Sequence, residues 1–295
     1  MMSLRRPRTV KTGGSRQSVF AQVVRSFRKN RPAVFGLVIL AIVLAVALLA
    51  DFIVPYQNGI TQDAGIRLEG PSVEHLFGTD EYGRDVFARI VHGARSSIAI
   101  GIGATVISLL IGTLFGAIAG LYGGAIDTVI MRTCDILSSI PFLLLALAIV
   151  AALGPSMINL MIAMTVASSP EFTRMIRSVI LSISEQDFIV AARGAGTNQA
   201  GIIFKHVIPN AAGPIIVQGS MALAAMILGA AGLSYIGMGV NPPAPEWGSM
   251  LNAATEYISR APHLLFFAGG AITLAALSMN LVGDGVRDAF DPRMR

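Results

Sequence analysis

Six apolar runs limit what this chain can fold into. The stretches 33–50, 98–121, 140–153, 157–169, 214–235 and 264–282 contain no Asp, Glu, Lys, Arg or His. A helix rises about 1.5 Å per residue, so roughly 20 apolar residues cross the hydrocarbon core of a bilayer. Lipid offers no partner to a backbone N–H or C=O, so each run must satisfy its own as a helix. The fourth run is short, and a polar helical extension beyond Pro170 is expected to complete it. Only 13% of the residues are charged and 54% are hydrophobic, whereas a soluble domain carries about a quarter charged residues. The expected fold is an all-α integral membrane protein with six transmembrane helices.

Charge then orients the runs. Residues 1–31 hold nine Lys or Arg and no acid. With the N-terminus inside, the inner segments hold 17 of the 22 basic residues and the outer segments hold 5. That bias predicts cytoplasmic N- and C-termini. The net charge of +5 is therefore that of a cytoplasmic tail, with anionic membrane lipid as a second reading and no nucleic acid. A signal peptide cleaved after Ala47 also fits the first run. Its long basic region and the apolar residues past that point favour an uncleaved helix. The expected division is a basic tail at 1–32, a first transmembrane helix at 33–54, an extracytoplasmic segment at 55–96, and a core of five transmembrane helices at 97–292. Within the tail, residues 19–27 read as a short basic amphipathic helix.

The longest polar-containing run between two apolar segments in the second half is SEQDFIVAARGAGTNQAGIIFKHVIP, residues 184–209. It reads as two short helices. Ser184 with Asp187 resembles a capping box, and Phe188, Ile189, Ala191 and Ala192 give a small apolar face. Gly194 and Gly196 fit a helix end, Thr197 fits a cap for the second helix, and Pro209 is expected to stop it. Composition alone makes this a loop between spans. The small side chains, beside Arg193, Lys205 and His206, equally fit a helix on which a partner docks.

Several separated motifs carry a resemblance covering about residues 25–295. Ala191, Ala192, Gly196, Ile208 and Pro209 stand at the spacing of the "EAA" loop of ABC importer permeases, with Val190 in place of the Glu. AARGAG followed by KHVIPN, GTDEYGRD followed by GARSS, NPPAPEWGSM and NLVGDGVRDAFDPR are similar to the dipeptide/oligopeptide/nickel branch, in its second-permease, or C-type, subunit. The resemblance implies the type I ABC importer permease fold in a bacterial or archaeal plasma membrane. It implies contact with an ATPase at Ala191, Ala192, Arg193, Gly196, His206, Ile208 and Pro209. It also implies a second homologous permease subunit, two ABC ATPase subunits and an extracytoplasmic substrate-binding protein, with alternating access as the mechanism.

Other features narrow the function. Gly112, Gly116, Gly120 and Gly124 recur every four residues, a stripe for close helix packing within this chain or across a dimer. Val86, Phe87, Ile90 and Val91 suit an amphipathic helix along the outer surface, and Trp247 suits the membrane interface. Runs free of ionisable groups argue against ion-coupled transport by this chain alone, the alternative being a stand-alone secondary transporter or channel. None of the three lysines follows a glycine, so no phosphate-binding loop is present. The chain is expected to be no enzyme and to bind no cofactor; ATP and Mg belong to the partner ATPases. The four histidines and Cys134 lack metal-ligand spacing. Asn159, Gln218, Ser234, Ser278 and Asn280 are candidates for the translocation pathway, each equally suited to bonding another helix. Asp284, Arg287, Asp288 and Asp291 either pair with one another or solvate the last helix.

Overall fold

A computed structural model describes residues 19–290. Asp291 and the basic tail before Val19 lie outside the described residues. Apart from one isolated bridge between Thr79 and Asp85, the regular structure described is helical. The first elements are α1 (Val19–Lys29), α2 (Arg31–Leu48) and α3 (Ala50–Ile53). Asn30 caps α2, its side-chain oxygen accepting from Ala33 N at 3.1 Å. The Asn30 amide donates to Asp288 at 3.0 Å. Asp288 thus ties the last helix to the first span; no ion pair joins it to Asp284 or Arg287 among the described residues.

The segment 55–85, expected to be the outer segment, folds with two short 3₁₀ turns, Tyr56–Gly59 and Ala64–Ile66. It leads into α4 (Val86–Tyr122), one continuous helix of 37 residues. The amphipathic surface helix expected ahead of the second span is therefore the first turns of that span. Val86, Ala88 and Val91 are buried, so its apolar face meets protein instead of a membrane surface. Asp85 caps the helix by accepting from Ala88 N at 2.7 Å.

Gly123 and Gly124, with φ of 63° and 54°, turn the chain out of α4 into α5 (Gly124–Ser138). Left-handed backbone of this kind costs a residue with a Cβ about 1 kcal/mol or more. α6 (Phe142–Leu153) leaves α5 at 86°. α7 (Met157–Ser184) runs 28 residues through Pro170. Proline leaves the Val166 carbonyl without its helical donor, and the Ser169 hydroxyl donates to it at 3.2 Å.

Next come α8 (Asp187–Gly194), the single turn α9 (Gln199–Gly201) and a π-helical stretch, Ile202–Val207. The chain does not stop at Pro209 but stays helical into α10 (Ile208–Leu233). The wide turn explains this. Ile208 N donates five residues back, to Ile203, and Pro209 falls in the first turn of α10, where its missing N–H costs little. The Asn210 side chain donates to the His206 carbonyl at 2.6 Å. A second π stretch, Ser234–Met238, ends at Gly237, and α11 (Trp247–Glu256) and α12 (Pro262–Phe290) complete the order.

Among the described residues four helices are long and apolar enough to cross a membrane, and the bent pair α5–α6 makes up to five. α7 is not among them, because Ser168, Ser169, Glu171, Thr173, Arg174 and Arg177 interrupt its apolar residues. It is the main partner of α4, while α10 packs on α12 and α12 on α2. Three apolar clusters stack along the bundle. One at the outer-segment end joins Val86, Trp247 and Leu264; a middle one joins Ile100, Leu160 and Met164; the third joins Ile176, Ile180, Ile189 and Val207.

Candidate functional site

The stretch 184–209 hangs from the third cluster by very few residues. In α8 only Ile189 is buried, with no exposure, while Phe188 and Ala191 face outward and Val190 is 61% exposed. Ala192 is half-buried; Arg193 and Gly196 are exposed. The helix end is a Schellman motif. Thr197 N donates to Ala192 O at 3.1 Å and Gly196 N to Arg193 O at 3.0 Å, with Gly196 at φ 81°. That turn needs the left-handed region, which glycine enters without penalty. No atom lies within 4 Å of where a Gly196 Cβ would sit, so the constraint there is the backbone and not a neighbour.

Two expected caps differ. Ser184 belongs to α7, and its hydroxyl donates to Leu181 O at 2.8 Å instead of capping α8. Asn198, not Thr197, caps the second helix by accepting from Gly201 N at 2.7 Å. His206 is half-buried and Pro209 exposed, while Ile208 packs on the third cluster. α8 therefore presents Phe188, Val190, Ala191 and Arg193 on a rigid, capped unit. Its one anchor, Ile189, belongs to the third cluster, where α8 meets α7 and the π stretch.

The glycine stripe divides. A Cβ on Gly112 would lie 2.4 Å from Phe172 Cβ, one on Gly116 2.8 Å from Thr173 O, and one on Gly120 2.9 Å from Ile180 Cγ2. These three press α4 against α7 within this chain. Gly124 has no atom within 4 Å of its Cβ position and serves the turn into α5 instead.

The five pathway candidates are not brought together. Asn159 donates to the carbonyls of Leu153 at 3.0 Å and Gly154 at 2.9 Å, closing the α6–α7 turn. The Ser278 hydroxyl donates to Ala275 O in its own helix at 2.8 Å, and Asn280 is exposed on α12. Gln218 lines a cavity of about 520 Å³ between α6, α7 and α10, with Phe142, Ser168, Glu171 and Met221. Ser234 lines a separate cavity of about 250 Å³ at the outer-segment end, with Asp80, Arg84 and Arg89.

That second cavity sits in a polar lock whose extent the sequence did not disclose. Asp80 pairs with Arg84 at 2.6 Å and Arg89 at 3.3 Å, all three buried. Burial, then the neighbouring Asp80 charge, pushes the Glu81 carboxyl up from the usual range. Glu246, fully buried, accepts from Gly248 N and Ser249 N at 2.8 Å and from Ser97 at 3.1 Å. Trp247 is buried against Gly93 and donates to Ile90 O at 3.0 Å. It therefore braces α11 on α4, and its ring faces protein.

Residues 112–295 match the model of the family described as the binding-protein-dependent transport system inner membrane component. The chain belongs to that family. Residues 18–71 of this permease match the N-terminal TM domain of oligopeptide transport permease C. The chain is 43% identical over 278 residues to the dipeptide transport system permease protein DppC of Alkalihalophilus pseudofirmus, covering 94% of this chain and 91% of that one. It is 40% identical over 271 residues to the glutathione transport system permease protein GsiD of Pectobacterium atrosepticum, covering 92% and 90%. It is 41% identical to the di/tripeptide transport system permease protein DppC of Pseudomonas aeruginosa, covering 92% and 91%. The fold matches a chain of the MetNI methionine ABC transporter in an inward-facing conformation, with a TM-score of 0.56 and 19% identity over 68% of this chain and 96% of that one.

The six runs as drawn hold no ionisable group, but α7 extends past the fourth run and carries Glu171 near its middle. Sequence reasoning missed Glu171 because Pro170 and the polar residues after it ended the apolar run one turn early.

Proposed function

We propose that this permease is the transmembrane subunit of an ATP-driven ABC importer for di- or oligopeptides or a related small solute such as glutathione. It forms half of a pathway completed by a second, homologous permease. Two separate ATPase subunits bind ATP and Mg and take α8 in a groove; a substrate-binding protein delivers the solute to the outer-segment end. The termini and the 184–209 stretch lie in the cytoplasm, and the chain itself binds no cofactor. Alternating access follows when closure of the ATPases pushes α8. The push reaches the spans because α8 meets α7 and the π stretch that leads into α10.

The observation that carries this reading is the form of α8. Small and apolar side chains stand exposed on a helix held by one buried anchor and ended by a fixed left-handed turn. An exposed apolar face of this kind calls for a protein partner, and Ala191, Ala192 and Gly196 allow close approach. The test is purification in mild detergent followed by reconstitution with the ATPases and the loaded binding protein. ATPase subunits should co-purify. Ala192→Glu and Gly196→Asp should insert into the membrane at wild-type levels yet lose substrate-stimulated hydrolysis and uptake. Retention of both activities in both variants would make the stretch an ordinary loop.

A further inference from the structure

The smaller hollow, about 250 Å³ at the outer-segment end, is bordered by hydrogen-bond donors that this chain does not use. Arg84 and Arg89 are 4% and 5% exposed, and both line it. Arg84 donates through Nε to Asp80 at 2.6 Å and through Nη2 to Glu81 at 3.1 Å. Arg89 donates through Nη1 to the Gly59 and Pro243 carbonyls at 2.9 and 3.3 Å, and its Nε faces Asp80 at 3.3 Å. A guanidinium carries five N–H donors. Among the described residues, Nη1 of Arg84 and Nη2 of Arg89 have no acceptor.

Two more donors stand at the same wall. The Ser234 hydroxyl, at the start of the second π stretch, is buried without a partner. Gly239, buried beside that hydroxyl, follows the stretch with a backbone N–H that has no acceptor among the described residues. The nearby acceptors are engaged. One Asp80 oxygen accepts from Tyr82 N at 2.9 Å and Arg84 N at 3.0 Å, and the other faces both guanidinium groups. Glu81 is the weakest counter-charge of the cluster, since burial and then the Asp80 charge push its carboxyl up from the usual range. Two guanidinium groups thus meet one fully engaged carboxylate and one carboxyl whose ionised form is disfavoured.

Buried donors without acceptors cost stability and call for a water or an ion. Here the surplus is of donors and of positive charge together, which favours an anion. Guanidinium groups hold anions through charge-assisted hydrogen bonds, short and about twice as strong as neutral ones. Size narrows the class. Sites for drug-sized molecules span about 300–1,000 Å³, so a hollow of about 250 Å³ suits a single halide or carboxylate ion and not a whole solute. We propose that the hollow binds a small monovalent anion, a halide or a carboxylate ion such as acetate, between Arg84, Arg89, the Ser234 hydroxyl and the Gly239 N–H. The bound ion joins the first turns of α4 to the loop ahead of α11. The inference stands apart from the importer reading and concerns neither the solute nor α8.

The test uses the full-length chain in detergent and follows thermal unfolding by exposure of its single, buried cysteine, Cys134. Sodium gluconate, whose anion is bulky, is replaced stepwise by sodium chloride or sodium acetate at constant ionic strength, so that screening does not change. The unfolding midpoint should rise with chloride or acetate and saturate. Ser234→Ala should raise the half-saturating concentration about tenfold, the weight of a hydrogen bond to a charged group. Glu81→Gln keeps the shape and removes the competing charge, and should lower it by about threefold or more. Equal midpoints in chloride, acetate and gluconate overturn the inference and leave the donors to water. A saturable rise that neither variant alters also overturns it, since the ion then binds elsewhere.

Discussion

Replacing Gly116 by alanine tests how tightly α4 and α7 are packed. A Cβ there would lie 2.8 Å from Thr173 O, 2.9 Å from Arg177 N and 2.9 Å from Ile176 Cβ. Two of these are backbone atoms that cannot rotate away, so α7 must retreat. A gap of about half an ångström forfeits around a quarter of each neighbouring van der Waals contact. Overpacking a fitted core costs about 1–3 kcal/mol. Alanine returns about 0.5–1 kcal/mol over glycine within a helix, which leaves a net loss of roughly 1–2 kcal/mol. Gly270→Ala is the internal control. Gly270 is also within a helix, α12, yet no atom lies within 4 Å of its Cβ position, so only the helix gain applies. Thermal unfolding of both purified variants in one detergent should move the midpoints in opposite directions, Gly116→Ala down by a few degrees and Gly270→Ala level or up. Gly116→Leu should not yield assembled protein. Equal midpoints for the two alanine variants would refute the claim that backbone contact, and not glycine as such, sets the requirement.

Three further outcomes are expected. Glu246→Ala strips the cap from α11 and leaves two backbone N–H groups and the Ser97 hydroxyl without their acceptor; a loss of about 2 kcal/mol or more is expected, read as a lower unfolding midpoint. A cysteine at Thr197 in a Cys134→Ser background should resist an impermeant thiol reagent added outside intact cells, and labelling from outside would overturn the N-inside topology. The raised Glu81 carboxyl favours the folded state at pH below the ordinary carboxylate range, a contribution lost as pH rises through its own raised value. Glu81→Gln should therefore flatten the wild type's dependence of stability on pH across the acid range, and identical profiles would show that the burial has no such effect.

Much of the architecture was legible in the residues because it answers local demands. A span must satisfy its own backbone in lipid, so the runs reported where helices lie. Gly196 reported a left-handed turn and Gly112, Gly116 and Gly120 a close approach, since in each case a missing Cβ is itself the signal. The stretch 184–209 declared two helices and small side chains by composition. Which neighbours those side chains meet was not written there. The direction in which a polar group points depends on how helices pack, so Gln218 borders a cavity while Asn159 closes a turn, Ser278 bonds its own helix and Asn280 faces outward. The polar extension past Pro170 was expected, but only the packing shows that α7 stays one helix there and that Arg174 and Arg177 turn to α5. Trp247, expected at the membrane interface, and Glu246 became the brace of α11 on α4, because burial is decided by partners distant in the chain.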